Sequence, residues 1–168
     1  RAGVVQIAPQ VTSAWVLECL RGHVQQRTLP EISEIARLLR GVEETEGRDV
    51  AWAWADRRDA RHHVEIWLRV LRGCAPQHRA AAAAVLAFLV WLAGDGALAW
   101  CAVEASQANG GECSLASLVQ DLLTQAAPPQ AWVPLLSPDL SDPFPAGEKS
   151  PGRVVRLAQR SDPHGGAA

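Results

Sequence analysis

Fourteen consecutive residues, Ala80 to Ala93, carry no charged or strongly polar side chain. As a helix this run spans roughly 21 Å at ~1.5 Å per residue, short of the ~30 Å core of a bilayer. Its alanines favour helix over strand. A helix that is apolar on every side has no solvent face, so other elements must surround it. The chain is therefore expected to build around one buried central helix. No stretch reaches 18 uncharged apolar residues, so no membrane span is expected.

The flanking sequence supplies amphipathic helices. Thr12 or Ser13 can cap a helix to about Arg27 that buries Val16, Cys19, Leu20 and Val24. Pro30 suits a helix N1 position, ahead of a stripe of Ile32, Ile35, Ala36, Leu39 and Val42, with Glu31 and Glu34 at the positive end. Residues 41–49, with Gly41, Gly47 and three glutamates, read as a turn. Val50–Ala55 alternates like a strand, although its alanines favour a short helix from about Asp49. Val64, Trp67, Leu68 and Leu71 return to helical spacing until Gly73 and Pro76. Gly94-Asp95-Gly96 then breaks the central run, and Asp95 caps a helix from Ala97 to about Ala108, which Asn109-Gly110-Gly111 ends. Ser114 can cap a last helix, with Leu115, Leu118, Val119, Leu122 and Leu123 at i, i+3, i+4, i+7 and i+8.

The expected fold is all-α: a compact helical bundle of about five to six helices over 13–127, after an extended lead-in at 1–12. Eight of the eleven prolines fall in 128–168, which reads as a Pro-rich, largely disordered tail. Trp132, Leu135 and Leu136 are placed to pack back onto the helices before order is lost.

Charge and cysteines narrow the function. Eighteen acids against sixteen bases give a net charge of −2, which argues against a wholesale nucleic-acid binder. Residues 1–79 hold twelve arginines and ten acids, whereas 80–148 hold seven acids and no Lys or Arg. Lys149, Arg153, Arg156 and Arg160 follow, with Val154, Val155 and Leu157 among them. An acidic helical half can attract a basic partner or this basic tail, whose arginines sit at helical spacing, although the plainer reading is the solvated faces of an ordinary domain. Cys19, Cys74, Cys101 and Cys113 are separated by 55, 27 and 12 positions, which fits neither a zinc ribbon nor a CxxC pair. Four reduced cysteines in a cytoplasmic protein are expected, with Cys101 a small buried hydrophobe, no structural metal and no internal disulfide. A chain that opens on Arg1 and contains no Met reads as a fragment, a processed product or a chain lacking its start, and no signal-peptide pattern opens it.

The densest polar cluster is Asp56, Arg57, Arg58, Asp59, Arg61, His62, His63 and Glu65. Asp59 and His63 stand at i, i+4, and His62 and Glu65 at i, i+3, so either pair can share a helix face and ligate a metal. Two ligands make no site, and the plainer reading is an exposed helix start with acids near its positive end. The three arginines are the available phosphate contacts. Trp67, Trp91 and Trp100 sit on apolar segments and read as core. No phosphate loop, nucleophile elbow or dinucleotide fingerprint is present, and no cofactor is expected.

The run Ala84-Val-Leu-Ala-Phe-Leu-Val-Trp-Leu-Ala-Gly-Asp-Gly-Ala-Leu-Ala-Trp-Cys-Ala-Val-Glu-Ala, then Ser114-Leu-Ala-Ser-Leu and Pro128-Pro129, resembles the C-terminal half of an actinobacterial domain-of-unknown-function family. Arg48-Asp49 and the Ala-rich sequence after it fit the middle of the same family, and the resemblance covers about residues 10–130. It implies a preceding mixed α/β half and no assigned activity. The family has a Pro near position 112, where this chain reads Gly111-Glu112-Cys113. Trp91, Leu92 and Gly94 ahead of Ala99, Ala102 and Ala105 also resemble one tetratricopeptide-like helix pair, without a repeat. The expected function is a non-catalytic α-helical interaction module, the C-terminal part of a larger intracellular protein. Its partner would be the missing N-terminal half, another protein or a second copy. The alternative is a support or lid domain of an enzyme whose catalytic groups lie in that half, which convergence of Asp56, His62, His63 and Glu65 would favour.

Overall fold

The computed structural model describes residues 10–108 and 111–136. They form α1 (Ser13–Gln26), α2 (Ile32–Glu43), α3 (Thr45–Trp52), α4 (Ala60–Arg72), α5 (Arg79–Leu92), α6 (Gly96–Gln107) and α7 (Ser114–Thr124). Single 3-10 turns occupy Pro76–His78 and Pro129–Ala131. No strand occurs among the described residues, as the all-α expectation requires. No helix among them is long and apolar enough to cross a membrane.

The apolar run is α5, and every residue from Ala82 to Leu92 is buried. Helices α2, α3, α4, α6 and α7 all pack against it. Phe88 sits at the centre, its ring 4.7 Å from Trp52, 5.5 Å from Trp91 and 4.9 Å from Trp132. Fully burying a side chain of this size contributes roughly 1.5–3 kcal/mol, which is why the aromatic centre anchors the bundle. After Ala127 the chain returns to this core as expected. Trp132 donates its indole N–H to the Ala55 carbonyl, and the amides of Leu135 and Leu136 donate to the carbonyl of Ala53. The rest of the expected tail lies outside the described residues.

Several boundaries differ from the sequence reading. Residues 41–49 do not form a turn. Helix α2 runs to Glu43 and α3 starts at Thr45, so the break is confined to extended Glu44. Two glycines permit this junction: a Cβ on Gly47 would overlap the Gly41 carbonyl oxygen. Val50–Ala55 is accordingly the end of a helix and the turn after it.

Pro30 is not at N1. Glu31 is the N-cap of α2, in a capping box with Glu34, and Pro30 lies buried ahead of it. The buried face of α2 centres on Leu38, Gly41 and Val42, which leaves Ala36 exposed and Ile32 82% exposed. Cys113, not Ser114, is the N-cap of α7. Helix α6 buries Ala99, Ala102, Val103 and Ser106. Trp100 and Cys101, expected inside, face outward on it. A helix rich in small apolar residues carries little polarity to mark its solvent side, so its rotation is set by the α5 face it meets.

Candidate functional site

The polar groups with the closest geometry meet where the end of α1, the start of α2 and the start of α4 come together. Helix α1 ends on Arg27 in the left-handed region, φ 55°. The chain then doubles back through Thr28 to the capping box of α2. This return sets His23 against Glu34, Nε2 to Oε2 at 3.1 Å, and Nδ1 against the Thr28 hydroxyl at 2.7 Å. A carboxylate only accepts, so in the neutral ring Nε2–H donates to Glu34 and the Thr28 hydroxyl donates to Nδ1. The same Glu34 oxygen accepts the Glu31 amide at 2.9 Å, so the capping box fixes the carboxylate.

The cluster expected from the sequence divides among different surroundings. His62, buried, points its Nε2–H at the carbonyls of His23 and Thr28, at 3.1 and 3.0 Å, and its Nδ1 at Glu65, at 3.1 Å. Asp59 accepts from Arg27 at 2.5 Å. His63 turns the other way, into the core, with its ring 4.8 Å from that of Trp54 and neither nitrogen hydrogen-bonded. Burial pulls its pKa down to about 4, against a smaller upward pull from Asp59. Asp56 is engaged by Arg58, whose hydrogen bonds hold its carboxyl below the ordinary value. Arg57 lies on the rim of a separate hollow, and Arg61 lines another with Glu65 and Leu98. Asp56, His62, His63 and Glu65 therefore do not converge on one pocket.

Sequence reasoning missed a tighter grouping. Cys19 and His23 are one turn apart on α1, and α2 lays Glu34 against both. One ligand atom from each of the three lies within 4.8 Å of the other two, and all three residues are half-buried. Burial, with Glu34 second, pushes the Cys19 thiol up to about 11. The legible signal was the four-residue Cys–His spacing, but Glu34 joins only through the fold.

A second surface feature lies on α6 and the end of α7. Ala97, Leu98, Trp100, Cys101 and Glu104 are exposed along α6, a face that is apolar up to its last member. Beside it, Trp91, Trp100, Leu122, Leu123, Ala127 and Pro129 line an open hollow of about 450 Å³. On the α1–α2 side, Leu29 and Ile32 are exposed. Trp15 is not free there, because the Arg37 guanidinium stacks 3.8 Å above its ring.

A family model described as a domain of unknown function (DUF4192) matches residues 7–130. Neither a curated protein nor a solved structure matches the chain.

Proposed function

The chain belongs to the DUF4192 family of domains of unknown function, and we propose that it is a non-catalytic α-helical interaction module that docks a basic amphipathic segment of a protein partner. The outward face of α6 carries this reading. Trp100 stands 39% exposed beside the hollow, and an indole placed on a surface offers a large apolar area with little side-chain entropy to lose. Charge supports the class of partner: Glu104 lies one turn beyond Trp100, and residues 80–148 contain no Lys or Arg. Arg57 is the one cation on the described rim.

The α5–α6 pair serves as the scaffold, in the manner of a tetratricopeptide-like pair. On the same reading the chain is the C-terminal part of a larger intracellular protein, whose preceding half covers Leu29 and Ile32. Four unpaired cysteines, one of them exposed, support the reducing cytoplasm as its compartment.

Photo-crosslinking from position 100 in cells tests the proposal. The expected adduct joins this site to a segment of another protein in which basic residues flank apolar ones, and Glu104→Lys weakens it. Crosslinks confined to residues 149–160 of the same chain, to a second copy, or to nothing overturn it.

A further inference from the structure

We infer that Cys19, His23 and Glu34 form a binding site for a zinc-class divalent cation, with a fourth coordination position open to solvent.

Placement comes first. Residues four apart on a helix share a face, so Cys19 and His23 present sulfur and nitrogen side by side, and the α1–α2 return brings the Glu34 carboxylate across from them. Ligand atoms on a tetrahedral zinc, with bonds of roughly 2.0–2.3 Å, stand about 3.3–3.8 Å apart. The His23–Glu34 approach of 3.1 Å is already close to that spacing, and the whole set lies within 4.8 Å. Against that spacing the widest pair has about 1 Å left to close.

Donor type selects the ion. One thiolate, one imidazole and one carboxylate suit a borderline-soft cation such as Zn²⁺ or Co²⁺, whereas Mg²⁺ and Ca²⁺ demand oxygen. Three protein ligands leave the fourth tetrahedral position to water or to a donor from elsewhere.

Support is present for two of the three ligands. When Nε2 turns its lone pair to the cation, the ring proton moves to Nδ1, and the Thr28 oxygen at 2.7 Å then accepts where it previously donated. The Glu31 amide holds the Glu34 carboxylate in place. The negative C-terminal end of α1 also favours a cation beside His23 in its last turn. The alternative is an ordinary His–Glu hydrogen bond with Cys19 as filler, and it predicts no thiolate ligation.

Cobalt titration of the purified full chain, stripped with a chelator, separates the two. The expected result is one Co²⁺ per chain, a thiolate-to-cobalt charge-transfer band and tetrahedral d–d bands, with Zn²⁺ displacing the cobalt. Cys19→Ser should abolish the charge-transfer band, Glu34→Gln should weaken binding at least tenfold, and Cys101→Ser should change neither. Should Cys19→Ser fail to fold, the band in the wild-type chain and its response to Glu34→Gln decide the matter. Absence of the band in the wild type, its survival in a folded Cys19→Ser, or unchanged affinity in Glu34→Gln overturns the site.

Discussion

Trp132 donates its indole N–H to the carbonyl of Ala55 at 2.8 Å, across 77 positions of sequence. The same ring packs at 4.9 Å from Phe88 and 5.8 Å from Trp52, so the segment after α7 closes over the aromatic centre. Trp132→Phe keeps the ring contact and loses the donor, which should cost about 1 kcal/mol. Trp132→Ala also opens the cover of Phe88, and for a half-buried ring should cost about 2–4 kcal/mol. Urea unfolding of both variants checks the order.

The glycines of the α2–α3 junction should differ in tolerance. Gly47→Ala drives a methyl into the Gly41 backbone, which cannot give way without shifting a helix, and should destabilise by about 3 kcal/mol or more. In Gly41→Ala the new methyl would stand 2.5 Å from Val16 Cγ2 and 3.0 Å from Val11 Cγ1, side-chain atoms rather than a helix backbone. A loss of about 1–2 kcal/mol is expected there. Thermal unfolding that ranks the two the other way contradicts the packing described.

Acid should destabilise the fold through His63. Its pKa of about 4 lies below the ordinary 6.5, so the unfolded chain takes up the proton first. The stabilising contribution is complete above pH 6.5 and is lost as the pH falls towards 4. The loss amounts to roughly 2 kcal/mol at pH 5 and about 3 kcal/mol at its limit. His63→Leu should flatten the stability profile between pH 7 and 5. An unchanged slope in that variant would place the acid sensitivity in another group.

Thiol modification should follow exposure and thiolate fraction. Cys101 is exposed, Cys74 and Cys113 are buried, and burial raises the thiols of Cys19 and Cys74. Thiolate is the attacking form, so Cys101 should react first with a maleimide at neutral pH. Peptide mapping after brief labelling reads the order directly. Cys19 modified ahead of Cys101 would contradict it.

Legibility in the sequence followed how local the deciding physics is. Helix α5 was visible because fourteen apolar residues admit few other fates. Thr12 and Asp95 were visible because a cap acts within three residues, and both accept the amide expected of them. The phase of α4 was not. The stripe Val64, Trp67, Leu68, Leu71 and the fully buried His63, Ile66, Trp67, Val70 differ by one residue and fit the same period, while His62 is buried at the margin. That shift decides which of two adjacent histidines enters the core. Helix α3 was hidden because its start depends on Gly47 meeting Gly41, a contact between helices. The grouping of Cys19 and His23 with Glu34 was hidden for the same reason, since the α1–α2 return brings the third residue in.

Ribosomes build a chain in one direction, and here the central helix is encoded after three of the helices that rest on it. While α2, α3 and α4 emerge, Leu38, Trp52 and Trp67 have no α5 to cover them, although α1, α2 and α3 can contact one another. A partly made chain thus exposes its stickiest surfaces until Leu92 has been added, and its aromatic lid arrives only with Trp132. Such exposure invites aggregation and chaperone capture. Nascent chains whose emerged portion ends at Arg72 should be cut rapidly by protease and should bind holdase chaperones, whereas those emerged through Leu136 should resist cleavage and let the chaperones go.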